Sequence, residues 1–261
     1  MSKFQGVRRG RVACAVVLGA LIAVAVSGIA SAEKVVVGNL EFEADGGFQP
    51  KTLSKTEFTP IAFTAEGSIK TVNGEHPPAL KEVLVEADKN TAVTTKGYPT
   101  CKSGQLQSQD TAHAESICKS ALIGTGTTNI EIAFPESRRV PVSSKLLIFN
   151  GGEQGGVVTY YIHAYITVPV PAAVVTTVKI KKIHNGRYGL LAVASIPKIA
   201  GGSGSVTSFS LKIDKKFTYK GKKVSVLSAK CPDGKLQAHA TAVFADGTKA
   251  STEFVRPCTG K

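Results

Sequence analysis

Residues 205–223 read SVTSFSLKIDKKFTYKGKK, and the fold is decided there. Thr207, Phe209, Leu211, Ile213, Phe217 and Tyr219 alternate with Ser208, Ser210, Lys212, Lys216, Thr218 and Lys220. A period of two sends alternate side chains to opposite faces of a strand, one face buried and the other wet. Turn pairs follow at Lys220-Gly221, Asp233-Gly234 and Asp246-Gly247, with cysteines at 231 and 258. The pattern predicts an antiparallel sheet in an oxidising place, and it names no reaction.

The same period recurs upstream. Val174, Thr176, Val178 and Ile180 alternate with Val175, Thr177, Lys179 and Lys181, and Asn185-Gly186 then turns the chain back through Tyr188 to Ile196. Leu146 to Phe149, a turn at Asn150-Gly151-Gly152, and Val157 to Val168 read as a second hairpin. A strand from Lys34 ends at a turn, Asp45-Gly46-Gly47; a pair of strands between Phe58 and Ile69 bends at Glu66-Gly67. Leu80 to Ala87 reads as a strand, although its Lys and Glu content also suits a helix. Gly124 and Gly126, inside a Thr- and Ile-rich run, predict a bulge or a close backbone approach. One segment is helical: Asp110 can cap a short helix through Ile117 to Cys118. The fold expected is mainly β, a two-layer antiparallel β-sandwich with one short helical insertion around residues 103–118.

The first 32 residues read as a targeting segment. Lys3, Arg8, Arg9 and Arg11 precede an apolar run from Val12 to Val26, and Ala30-Ser31-Ala32 offers a small-x-small cleavage site. The run holds 15 residues, short of the ~18–20 that span a bilayer, so cleavage near Ala32 is expected over an uncleaved N-terminal membrane anchor. Residues 33–261 then form the mature chain, long enough for one core. No Pro/Gly/Ser linker divides it, so a single domain is expected rather than two packed β halves meeting near residue 150.

With Cys14 set aside in the targeting segment, Cys101, Cys118, Cys231 and Cys258 remain, an even number that reads as two disulfides. Proximity pairs 101 with 118 and 231 with 258. Strands over 222–230, 235–244 and 248–256 in a flat meander would leave Cys231 and Cys258 ~9.5 Å apart, beyond the ~7 Å between Cα atoms that a disulfide tolerates. That bond therefore requires the chain to leave the ribbon near Lys235, by a bulge or by crossing to a second sheet. No pair is spaced C-x-x-C and no histidine pair accompanies the cysteines, so no zinc site is expected.

Charge is lopsided. Residues 33–150 hold 12 Lys/Arg and 14 Asp/Glu, whereas residues 151–261 hold 16 and 5. A basic half beside an acidic one suits attraction to an anionic polymer or surface. Lys212, Lys216 and Lys220 form a stripe on the polar face of the ribbon, Lys222 or Lys223 joins it depending on register, and Lys179 and Lys181 extend it. Lysines on a sheet face also keep strands from pairing with other chains. There is no Trp and few aromatics interleave, so nucleic acid is not the expected partner.

Of the five histidines none is spaced H-x-H or H-E-x-x-H. Tyr161, His163 and Tyr165 share one strand face, either a binding strip or the half-buried side of a strand. His239 has no visible partner. Gly201-Gly202-Ser203-Gly204 misses the G-x-S-x-G elbow and no helix follows it, so Ser203 reads as a loop residue. No residue is assigned a catalytic, cofactor or metal role.

Several strings resemble an uncharacterised family of exported actinobacterial β-rich proteins with no assigned activity: Ile196-Pro197-Lys198-Ile199-Ala200-Gly201-Gly202-Ser203-Gly204, Tyr219-Lys220-Gly221-Lys222-Lys223, Ser228-Ala229-Lys230-Cys231-Pro232 and Gly97-Tyr98-Pro99-Thr100-Cys101. The resemblance implies export and a β fold, and no mechanism. The function expected is that of an exported non-enzymatic protein, structural or binding an anionic envelope polymer, extracellular polymer or membrane surface through its basic half. The alternative is a secreted hydrolase whose site is assembled from distant residues, around His163.

Overall fold

In the computed structural model, which describes residues 32–261, the alternation seen from Ser205 onward becomes the inner and outer faces of one large sheet. Its strands are β1 (Glu33–Val37), β2 (Leu40–Gln49), β3 (Ala62–Thr71), β4 (Leu80–Asp88), β5 (Leu122–Ile132), β6 (Val140–Gln154), β7 (Val157–Ile166), β8 (Ala172–Asn185), β9 (Tyr188–Ser195), β10 (Gly204–Ile213), β11 (Lys235–Phe244) and β12 (Lys249–Pro257). They pair antiparallel in the order β1-β2-β3-β10-β5-β6-β7-β8-β9-β4-β11-β12. β10 inserts between β3 and β5, and β4 between β9 and β11, so strands from before and after residue 150 interleave. The targeting segment, with Cys14 and the choice between cleavage and anchoring, lies outside the described residues.

The sheet is nearly closed, and its opposing walls pack as the two layers of a sandwich. Leu40, Phe42 and Ile69 of β2 and β3 meet Ala242, Phe244 and Ala250 of β11 and β12 in one buried cluster. At the seam Arg256 of β12 reaches β2: its Nη2 donates to Asp45 Oδ1 at 2.5 Å and its Nε to the Gly46 carbonyl at 2.7 Å.

Two smaller pieces pack against the large sheet. Leu227–Ala229 pairs with Thr59–Pro60 and Thr91–Val93 in a three-stranded ribbon, separate from the large sheet. The chain then crosses to β11, and in that crossing Cys231 is bonded to Cys258, with Cα atoms 6.1 Å apart. This crossing is the departure from the ribbon near Lys235 that a 231–258 bond requires. Cys101 and Cys118 form the other disulfide, Cα atoms 5.6 Å apart, and span α1 (Ser103–Leu106) and α2 (Thr111–Ile117). Asp110 caps α2 as expected, accepting the His113 N–H at 2.8 Å. Two disulfides mark an oxidising compartment.

Several expected turns are strand interiors. Gly46-Gly47 lies within β2, whose partner β1 is a separate strand reached by a turn at Gly38-Asn39. Glu66-Gly67 lies within β3. Gly67 is there for room, because a Cβ would fall 2.8 Å from the Phe209 ring and 3.0 Å from the Glu43 carbonyl. Gly126 faces the Ser210 carbonyl in the same way, the close approach expected of it. The hairpin tip expected at Asn150-Gly151-Gly152 sits instead at Gly155-Gly156. Asn150 is fully buried, donating to the Pro99 carbonyl at 2.9 Å and accepting the Gly152 N–H at 3.0 Å, so this stretch forms a bulge opposite Thr159 and Tyr160.

Candidate functional site

His163 lies on the outer face of β7 with Tyr161 and Tyr165, as its parity predicts, yet nothing can reach it. Leu106, Ala114, Leu147 and Phe149 pack into a cluster that roofs this part of the sheet. His163 is 0% exposed and its Nε2 faces the Gln109 carbonyl at 2.9 Å. That contact fixes the proton on Nε2 and leaves Nδ1 without a partner among the described residues. Burial pushes the His163 pKa below its ordinary value. A protonated His163 would carry an unpaired N–H in an apolar layer.

The unfolded chain takes up that proton near pH 6.5, while the folded protein resists it to lower pH. Stability is therefore full above about pH 6.5 and declines as the pH falls below it, by at most about 1.4 kcal/mol per pH unit from this group. His163→Gln is expected to flatten that part of the curve, measured as the urea midpoint between pH 7 and pH 5. An unchanged slope would reassign the acid sensitivity to other groups. The histidine is thus a buried component of the roof.

The lysine stripe is split. Lys212 is on the outer face of β10 and pairs with Asp214 at 2.7 Å. Lys216–Tyr219 and Lys222–Ser225 form a projecting hairpin in which Thr218 faces Lys223 and Tyr219 faces Lys222. This register places Lys223 beside Lys216 and Lys220 and settles the one-residue ambiguity. The opposite face is anchored: Phe217 packs on Tyr98 with centroids 4.9 Å apart, and Gly97 lets the Tyr219 ring lie against the backbone. Lys215, Lys216, Lys220, Lys222 and Lys223 are exposed, and among the described residues no carboxylate stands within 4.0 Å of them. Lys179 and Lys181 are exposed on β8, with β5, β6 and β7 between them and β10. They form a second basic spot, not an extension of the first.

At the opposite end of β10 the structure assembles a constellation that no spacing announces. Ser205 Oγ lies 3.0 Å from His76 Nε2, and His76 Nδ1 lies 2.9 Å from Glu131 Oε1. Arg139 Nη1 stands 3.5 Å from the same carboxylate oxygen and donates to the Gly74 carbonyl at 2.8 Å. The Ser205 hydroxyl donates its single proton to the Pro77 carbonyl at 2.7 Å, so in this arrangement that proton does not go to His76. With the ring proton on Nδ1, facing Glu131, Nε2 can accept the Ser205 proton once that hydroxyl turns away from the Pro77 carbonyl. His76 and Ser205 line a groove of about 710 Å³. His239, partnerless in the sequence, faces Glu86 Oε2 at 3.3 Å on the outer surface.

Among the described residues no three His, Cys, Asp or Glu side chains gather as metal ligands. No protein-family model, curated protein or solved structure matches this chain.

Proposed function

We propose that the protein works outside the cytoplasm as a binder of an anionic envelope polymer, through the projecting hairpin at residues 215–223. The observation that carries this reading is five exposed lysines, with no carboxylate partner among the described residues, on one hairpin and its base, anchored through Phe217 and Tyr219. Unpaired cations on a stiff support attract polyanions without first having to break internal ion pairs. Lys220 lies 5.8 Å from the Tyr219 ring centroid, so a flat apolar surface adjoins the charge. The two disulfides agree with work in an oxidising compartment.

Replacing Lys216, Lys220 and Lys223 together by Ala is expected to weaken retention on a phosphate-bearing cell-wall polymer. Each lysine at an anionic surface is worth about 1 kcal/mol, so the loss is on the order of 100-fold in Kd at low salt, and molar salt abolishes the difference. Retention that ignores both salt and the triple substitution would end the electrostatic reading. Anionic lipid vesicles in the same assay separate a membrane surface from the polymer.

A further inference from the structure

The groove at the far end of the sheet from the basic hairpin holds a serine, a histidine and a carboxylate in the order that acyl transfer requires, and we infer that it is an ester-cleaving site. Ser205 is the nucleophile, His76 the general base, and Glu131 the positioning group that holds the imidazole with its Nδ1 proton inward. The distances, 3.0 Å from Oγ to Nε2 and 2.9 Å from Nδ1 to the carboxylate, are within hydrogen-bonding reach, and the Ser205 proton must turn from the Pro77 carbonyl to Nε2 before attack. Arg139, 3.5 Å from Glu131, gives that carboxylate a cationic neighbour.

In the reaction Ser205 Oγ attacks the carbonyl carbon and its proton passes to His76 Nε2. The tetrahedral adduct collapses, the ester C–O bond breaks, and the leaving alcohol takes the proton from His76. Water then attacks the acyl-serine, giving its proton to His76, and collapse returns that proton to Ser205 as the carboxylic acid departs.

The groove narrows the substrate. Glu75 and Asp246 line it and, among the described residues, no Lys or Arg does, so an uncharged ester is preferred to an anionic one. The N–H groups of Gly202, Ser203 and Gly204 already donate to the Ile199 and Ala200 carbonyls, which removes them as oxyanion donors. An activated ester is therefore the substrate class, not a peptide amide, whose cleavage depends far more on such donors. Ser205 is only 1% exposed and its hydroxyl is held by the Pro77 carbonyl. A substrate must lift the Pro77-Pro78 segment from Oγ, and turnover is correspondingly slow.

The test uses the unmodified protein first: incubation with a neutral fluorophosphonate, peptide mapping by mass spectrometry, and hydrolysis of p-nitrophenyl butyrate. Labelling on Ser205 with ester turnover above the buffer rate is expected. Ser205→Ala should lose both, and Glu131→Gln should lower kcat by on the order of 10³-fold with KM little changed, thermal melts confirming that each variant is folded. No label on Ser205 in the unmodified protein, or turnover that survives Ser205→Ala, overturns the proposal. Neither result bears on polymer binding, because the hairpin lysines stand at the other end of β10.

Discussion

Arg187→Ala destabilises the protein by about 3–5 kcal/mol, because it leaves a buried carboxylate without its cation. Asp88 ends β4 and is 0% exposed. Its carboxylate accepts the Arg187 Nε at 2.6 Å, the Gln237 N–H at 3.0 Å and the Asn90 N–H at 2.9 Å, so the end of β4, the start of β11 and the turn after Asp88 meet on one group. Arg187 also donates to Asp233 and to the Lys235 carbonyl. The Asp233 carboxylate beside it raises the Arg187 pKa, and Arg187 in turn lowers that of Asp233. The guanidinium thus locks β4 to the crossing that carries Cys231. Asp88→Asn keeps the shape and removes the charge, so it should cost less than Arg187→Ala, and the double variant less than the sum. Urea denaturation with an unchanged m-value reads these differences. A loss below about 1 kcal/mol for Arg187→Ala would mean that water replaces the guanidinium and that the carboxylate is not sealed.

The period-two segments were legible because their signal is local. Residues 172–185 and 188–195 pair as the Asn185-Gly186 turn predicts, and the Asp110 cap marks α2 from its own neighbours. Gly46, Gly67 and Gly151 depart from their sequence reading because a one-dimensional pattern shows the same residue whether it bends a strand or makes room. What makes Gly67 a strand residue is the Phe209 ring on β10, and what makes Gly151 part of a bulge is the buried Asn150 amide. Phe209 is far from Gly67 in the chain, and Asn150, though next to Gly151, is held by the carbonyls of Tyr98 and Pro99, 52 and 51 positions away. The Ser205 constellation was invisible for the same reason: His76 is 55 positions from Glu131 and 129 from Ser205. Ser205 reads as an ordinary polar position at the start of a strand. Only the insertion of β10 beside β5 puts it near the other two, so no spacing rule could have found it. The lysine stripe shows the converse case. Its members were found by parity, but whether Lys179 joined Lys212 depended on three intervening strands.

Replacing Cys231 and Cys258 by Ala should lower global stability by about 3–4 kcal/mol, the loop-closure value for a crosslink of this span if native strain is small. The bond joins cysteines 27 positions apart, at the base of a buried cluster with Phe48, Leu53, Ile61 and Leu236. It also fixes the chain end: the Cys258 N–H donates to the Gly234 carbonyl, and Thr259–Gly260 pairs with Thr52–Leu53. Opening it frees the separate ribbon, the C-terminal strand and the seam held by Arg256 together, so unfolding should stay cooperative with a lower midpoint. The Cys101–Cys118 bond predicts a different outcome, although its loop gives a similar entropy. It closes a segment whose two short helices pack on the large sheet through the roof over β6 to β8. Its loss should show first as local opening, with fast amide exchange confined to residues 101–121 and His163 brought into contact with water. The acid sensitivity assigned to His163 should weaken in that variant and persist in the Cys231/Cys258 variant. Equal cooperative losses from both pairs, with no local exchange at 101–121, would show instead that the helical roof is as much a part of the folding unit as the barrel seam.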